Sequence, residues 1–222
     1  MHRLSIILGL ALVSSFAIAT QKHSICYNYF LAKDKCVFGS TEHPCKEPKS
    51  HTKKACSSGA VFKHSVKHIM HTPVSSPASP SQLKRRYNTT GRTDYVDGGE
   101  GTCGNYNTDS QVGVCIWNGL TSGGEPEKAG WLNPGFTKNC GKEVYIQRQG
   151  LPHTVKYAPI LDSCNFDNTT DPAYGCFQIY VTAALFDMFK PTKHELDTGA
   201  LYNLTWDFNN LPGSGKPQNA PV

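Results

Sequence analysis

Residues 143–161, EVYIQRQGLPHTVKYAPIL, decide the fold class of this 222-residue chain. Two runs rich in β-branched and aromatic residues, Glu143–Gln149 and Thr154–Leu161, flank Gly150-Leu151-Pro152, and Gly and Pro favour a turn between strands. This pattern predicts a β-hairpin. In residues 202–208, YNLTWDF, apolar and polar side chains alternate, which predicts a further strand with one face buried.

Shorter runs extend the β pattern. Thr93–Val96 and Val112–Trp117 predict further strands. Only the segment Thr182–Phe189 has a pattern that predicts a helix. Thr182 is a favourable N-cap residue, and Pro191 lies just after the end of the segment, where it would stop the helix. Twenty Gly and fourteen Pro against three Met fit a turn-rich β protein. About six strands and one short helix predict a small closed barrel.

Charge divides the chain into two units. Residues 1–86 hold 13 Lys/Arg against 3 Asp/Glu, whereas residues 87–222 hold 9 against 14, so the overall charge of +5 conceals opposite signs. The basic residues are not interleaved with aromatic side chains, which argues against a nucleic-acid partner.

The first 19 residues are typical of a secretory signal peptide. A basic start, an apolar run and the small-residue motif Ala17-Ile18-Ala19 match its three parts. No stretch approaches the roughly 20 apolar residues that a membrane span requires. We therefore expect a secreted, extracellular protein without a membrane partner. Three N-x-S/T sequons predict N-linked glycans at Asn88, Asn168 and Asn203.

Secretion favours disulfides for the nine cysteines. None has the CxxC spacing of a metal site, and we expect neither a metal nor a cofactor. The odd count leaves at least one thiol unpaired or bonded to another chain. A proximal cluster contains Cys26, Cys36, Cys45 and Cys56, whose connectivity stays open. A distal cluster contains Cys103, Cys115, Cys140, Cys164 and Cys176.

A cysteine-rich N-terminal segment, residues 20–70, precedes a Pro/Ser-rich linker at residues 71–86. The linker ends in Lys84-Arg85-Arg86, a dibasic sequence that secretory-pathway proteases cut. Cleavage there would make residues 20–86 a pro-segment or a separate peptide, leaving a domain over residues 87–222. His64, His68 and His71 share one helical face but have no acidic or thiolate neighbour there, which favours a solvated surface over a metal site.

Four segments in sequence order carry a family resemblance. They are DYVDGGEGTCG (94–104), NPGFTKNCGK (133–142), LDSC (161–164) and TAALF (182–186). They resemble the motifs of secreted double-psi β-barrel proteins of the rare lipoprotein A, barwin and expansin superfamily, most closely the small fungal members. The resemblance covers about residues 91–209 and implies a six-stranded double-psi β-barrel. It also implies disulfides Cys103–Cys140 and Cys164–Cys176, which would leave Cys115 as a buried odd thiol.

The resemblance also bears on catalysis. Relatives that hydrolyse β-glucans use two carboxylates. Asp97 stands where they have the first, but Tyr180 replaces the second, and a phenol with a pKa of about 10 is a poor acid near neutral pH. Asp162 matches an aspartate of relatives that cleave peptidoglycan, whose further Glu and His have no match here. A structural role, in which Asp162 accepts backbone N–H groups, is the alternative to catalysis.

A groove of aromatic and carboxylate side chains remains as the candidate site. Such side chains suit sugar rings, and they suit a peptide equally well. We therefore expect a non-catalytic protein that binds an extracellular polysaccharide or a host protein. The resemblance to the small fungal members implies a role as an effector or a wall-associated protein. The candidate residues are Tyr95, Asp97, Trp131, Asp162 and Tyr180.

Two alternative functions stay open. One is a wall-degrading lytic or hydrolytic enzyme that uses Asp97 and Asp162. The other is a protease inhibitor, a function found in the superfamily, which would act through an exposed, rigid loop at residues 118–131.

Overall fold

The computed structural model describes residues 22–45, 87–89, 91–121, 123–210 and 217–222. The expected signal peptide, Cys56, the linker with Lys84, Arg85 and Arg86, and the histidines at positions 64, 68 and 71 lie outside these residues. Across the described ranges, no helix is long and apolar enough to cross a membrane.

The described residues form ten short strands. These are β1 (Tyr87–Asn88), β2 (Arg92–Val96), β3 (Gly99–Gly101), β4 (Gly104–Tyr106), β5 (Val114–Trp117), β6 (Glu143–Arg148), β7 (Leu151–Cys164), β8 (Ile179–Thr182), β9 (Ala200–Tyr202) and β10 (Leu204–Phe208). β3 and β4 make a separate hairpin, and the other eight form one sheet in the order β1-β10-β6-β7-β5-β8-β2-β9. β2 pairs in parallel with β8, and β5 pairs in parallel with β7.

The prediction of a mainly β fold is confirmed, but the strand count is not six. Within the described residues, hydrogen bonding leaves β1 and β9 at the two ends of the sheet, so the sheet is not closed into a barrel. Motif order along the chain indicates which segments are strands, whereas closure depends on how the terminal strands meet.

The predicted hairpin is present as the antiparallel pair β6–β7, with Gly150 at a φ of 73° in the turn. The prediction for residues 202–208 needs correction. Asn203, at a φ of 53°, separates β9 from β10, and all five residues of β10 are buried, Thr205 and Asp207 included. Alternation therefore identified the two faces of this strand, but both faces are covered.

The prediction of one short helix is wrong, because four α-helices accompany the sheet in the described residues. They are α1 (Ile25–Asp34), α2 (Pro172–Gly175), α3 (Ala183–Met188) and α4 (Lys193–Thr198). α3 is the predicted helix, and its N-cap is Thr182, whose hydroxyl accepts the Leu185 N–H at 3.3 Å. Thr192 and Glu195 form a capping box at the start of α4.

The N-terminal segment packs onto the distal half of the chain. The N–H groups of Ile25 and Cys26 donate to the carbonyls of Ala129 and Gly130 at 2.9 and 3.1 Å. Phe30 lies 4.5 Å from the Tyr87 ring and 6.0 Å from the Trp131 ring, measured between centroids. Residues 22–45 and the sheet thus share one hydrophobic core.

Four disulfides join all eight cysteines of the described ranges, and the Cys103–Cys140 prediction is confirmed. The Cys164–Cys176 prediction is wrong, and Cys115 is not free: Cys115 bonds to Cys164, and Cys176 bonds to Cys26. β5 and β7 are parallel neighbours, which brings Cys115 close to Cys164. The fourth bond, Cys36–Cys45, closes a loop of the N-terminal segment.

Candidate functional site

Four residues on adjacent strands form a cross-strand row. Cys115 on β5 pairs with Asp162 on β7 and with Tyr180 on β8. The register that pairs Tyr95 with Val181 places Asp94 of β2 beside Tyr180. Because residues in register point to the same side of a sheet, the row from Asp162 through Cys115 and Tyr180 to Asp94 lies on one face.

A cavity of about 180 Å³ lies at the Tyr180–Asp94 end of the cross-strand row. Its aromatic lining consists of Phe166, Tyr174 and Tyr180, and its polar lining consists of Arg92, Asp94, Asp167 and Gln178. The Phe166 ring packs edge-to-face against Tyr180, with 4.6 Å between centroids. Strands β2 and β8, the segment after β7 and helix α2 therefore all contribute to one concave site.

The electrostatics of the cavity keep Tyr180 neutral. Burial, together with the nearby carboxylates of Asp94 and Asp167, raises the pKa of Tyr180 to about 12. The phenol thus stays protonated and can donate a hydrogen bond. Arg92 pairs with Asp94, its Nε donating to Oδ1 at 2.8 Å, and both side chains line the cavity.

At the other end of the row, protein donors hold Asp162. Its Oδ1 accepts the N–H groups of Thr102 at 2.8 Å and of Ser163 at 2.7 Å. Its Oδ2 accepts the hydroxyl of Tyr106 at 3.1 Å, and the same hydroxyl contacts the Asp97 carbonyl at 2.8 Å. Burial and the Asp162 charge raise the pKa of Tyr106 to about 12, which preserves it as a donor. This geometry favours a structural role for Asp162.

The two carboxylates of the cross-strand row, those of Asp162 and Asp94, do not lie on adjacent strands. Asp162 and Asp94 stand three strand spacings apart, about 14 Å between Cα atoms. Glycosidase carboxyl groups lie about 5–9.5 Å apart. Asp97 is exposed, and Tyr106 contacts it through its backbone carbonyl rather than its carboxylate.

The structure separates the five predicted groove residues. Tyr180 lines the cavity, and Asp162 lies at the far end of the cross-strand row. Tyr95 is 47% exposed, and its ring lies 5.8 Å from that of Phe186. The prediction that Trp131 contacts a ligand is wrong. Trp131 is fully buried, and its Nε1 donates to the Cys176 carbonyl at 3.0 Å.

Of the residues that line the cavity, only Tyr180 is predicted from the sequence. Arg92 and Asp94 alternate along β2, a pattern that places both on one face and is visible in the sequence. Phe166, Asp167 and Tyr174 come from the segment between β7 and β8, where no periodic pattern marks them. They reach Tyr180 only through the tertiary fold.

In the loop predicted at residues 118–131, the described residues are 118–121 and 123–131; residues 123–127 are exposed, and internal hydrogen bonds join the two described parts. The Leu120 N–H donates to the Lys128 carbonyl at 3.0 Å, and the Gly130 N–H donates to the Asn118 carbonyl at 3.1 Å. The side chain of Asn133 supports the loop by donating to the Glu125 carbonyl at 2.9 Å. Leu120 is 40% exposed, so an apolar side chain projects from a supported backbone.

Two of the three sequon asparagines, Asn168 and Asn203, are exposed. Asn88 lies in β1. Glycosylation at the three positions stays a prediction.

No family model matches the chain, and no curated protein matches it. Among solved structures, the chain is similar to the Streptomyces papain inhibitor (SPI), with 26% sequence identity over 59% of this chain and 98% of that chain. The TM-score is 0.37, and a score of this size carries no argument about fold or function.

Proposed function

We propose that the chain is a secreted protein that binds one sugar unit of an extracellular polysaccharide in the cavity beside Tyr180, without cleaving it. The observation that carries the proposal is the composition of that cavity. Three aromatic side chains and two carboxylates converge on a concave space of about 180 Å³.

The chemistry of the lining fits a sugar. The C–H face of a sugar ring packs on aromatic rings, while its hydroxyls donate to carboxylates and accept from neutral donors. Asp94 and Asp167 supply acceptors, and the protonated Tyr180 supplies a donor. The cavity is smaller than the about 300–1,000 Å³ of sites for drug-sized ligands, so it suits one ring of a longer chain.

Other features support an extracellular setting. The signal-peptide pattern and four disulfides fit an oxidising compartment. The four motifs resemble those of secreted double-psi barrel proteins, and the described sheet has two parallel strand pairs among antiparallel ones. A wall-associated or effector role follows if the polysaccharide belongs to a cell wall.

Binding of the purified full chain to insoluble cellulose, β-glucan, chitin and peptidoglycan tests the proposal. Tyr174→Ala and Asp94→Asn should each weaken binding by about tenfold or more, because each removes a contact of the lining. Tyr157→Ala removes an exposed tyrosine that does not line the cavity and should leave binding unchanged. Retained binding in both cavity variants, or binding of a host protein instead of all four polymers, would overturn the sugar assignment.

Protease inhibition is the second candidate, and the braced loop at residues 118–131 favours it. Inhibitors present an exposed side chain on a backbone held rigid before binding, because rigidity lowers the entropy cost. Leu120 is the exposed apolar side chain here. If this candidate holds, the chain slows cysteine or serine proteases and Leu120→Asp abolishes the effect. Leu151→Asp, at a similarly exposed leucine at the start of β7, is the matched control.

A further inference from the structure

His23, Glu42 and His43 form a cluster in the N-terminal segment, and none of them lines the cavity. One ligand atom of each lies within 4.8 Å of the other two. His23 Nε2 is 2.8 Å from Glu42 Oε2. We propose that these three side chains bind a divalent transition-metal ion of the zinc class.

Tyr27 orients both imidazoles. Its ring stacks on His23 at 3.9 Å between centroids, with only 6° between the planes. Its hydroxyl is hydrogen-bonded to His43 Nδ1 at 2.9 Å, which leaves Nε2 of His43 as the ring nitrogen for a metal. In metal sites, a hydrogen bond to the second ring nitrogen fixes the orientation of a ligating histidine. Tyr27 is fully buried and therefore holds a fixed position.

The backbone that carries the ligands is held by local bonds. His23 immediately precedes Ser24, the N-cap of α1. The Cys36–Cys45 disulfide closes the loop that carries Glu42 and His43. Ser40 Oγ accepts the N–H groups of both residues at 3.1 Å, and it also bonds to Tyr27 at 2.6 Å. Glu42 and His43 therefore lie in one cross-linked loop, and the bond between Ser40 and Tyr27 joins that loop to α1.

The donor set suits zinc. Two imidazoles and one carboxylate, with a solvent molecule in the fourth position, are a set that zinc accepts. The His23 side chain is only 11% exposed, so its ring is held in place beside Glu42. Lys22 pairs with Glu42 at 2.7 Å, but its side chain is 71% exposed and can turn into solvent when a cation replaces it.

Zinc titration of the full chain by calorimetry, with Co²⁺ absorption as a second readout, tests the site. The wild type should bind zinc, and the Co²⁺ complex should give the intense visible band of a tetrahedral site. His43→Ala and Glu42→Gln should each weaken zinc binding by at least about tenfold. Glu42→Gln removes the charge of a partly exposed side chain and is the safer variant for folding.

Two controls separate this cluster from other histidines. His153→Ala changes an exposed histidine of β7 and should leave zinc affinity unchanged. A triple variant, His64→Ala with His68→Ala and His71→Ala, should also retain the tetrahedral Co²⁺ signal. The proposal is overturned if the wild type binds no zinc, if Glu42→Gln and His43→Ala bind as the wild type does, or if the triple variant loses the signal.

Discussion

Cys26 on α1 is bonded to Cys176 at the end of α2, 150 residues further along the chain. The bond therefore ties the N-terminal segment to the sheet. In the chain-entropy model, closing a loop of this length contributes about 5 kcal/mol. Phe30 and Tyr27 lie in the same core as Trp131, so the covalent link accompanies a packed interface.

This link predicts how the chain behaves after cleavage at the dibasic sequence that ends at Arg86. The two fragments should stay together in a non-reducing gel and separate only after reduction. Intact-mass measurement before and after reduction checks the prediction. Cys26→Ser with Cys176→Ser should release the N-terminal fragment once the protein is denatured, whereas Cys36→Ser with Cys45→Ser should not. A fragment lost from the denatured wild type without reductant would contradict the bond between Cys26 and Cys176.

We expect the fold to become less stable in acid, because acid protonates Glu195. Burial opposes its ionisation, but hydrogen bonds from Arg148, at 2.7 and 3.0 Å, and from Thr192 lower its pKa to about 2. An unfolded Glu titrates near 4.3, so the charged pair stabilises the fold above that pH. Its contribution should fall as the pH drops from about 4.5 to about 2, which urea unfolding across that range measures.

Removing the charge of Glu195 from its pair with Arg148 should also lower the free energy of unfolding. The Arg148 side chain is only 19% exposed, and Glu195→Gln leaves its guanidinium without a charged partner. The substitution should lower the free energy of unfolding by about 3 kcal/mol at neutral pH. Asp197→Asn removes the exposed pair with Lys193 and should cost less than about 0.5 kcal/mol. Equal costs for the two variants would show that burial of the Arg148–Glu195 pair has no energetic effect.

Asp162 is predicted to stabilise the fold rather than to catalyse. Asp162→Asn weakens charge-assisted bonds from Thr102, Ser163 and Tyr106 and should cost about 1.5–3 kcal/mol. The wild type should release no sugar or peptidoglycan fragments from β-glucan, cellulose or peptidoglycan. Product release that Asp162→Asn abolishes, with folding retained, would support the enzyme alternative instead.

Local sequence patterns predict individual elements well. The β6–β7 hairpin and α3 lie where turn residues and a capping threonine predict them. These features depend on neighbours in sequence, which is why they can be read from the chain. The capping box of α4, Thr192 with Glu195, is a local pattern of the same kind, but α4 is not predicted, because only Thr182–Phe189 is predicted to be helical.

Tertiary features could not be read in the same way. Spacing alone does not determine the partner of Cys176, because α1 brings Cys26 to it from 150 residues away. Trp131 is wrong as a ligand platform because aromatic type does not reveal burial. Tyr180 can be assigned to the site from the sequence, but Phe166 and Tyr174 join it only after β7 and α2 are placed.

We propose that the cavity beside Tyr180 binds a sugar and does not cleave it. An NMR titration of the ¹⁵N-labelled full chain with oligosaccharides of the bound polysaccharide tests this most directly. We predict shift changes centred on Tyr174, Gln178 and Tyr180, with the oligosaccharide unchanged in length afterwards. Changes centred on Leu120 instead, or a shortened oligosaccharide, would contradict the account.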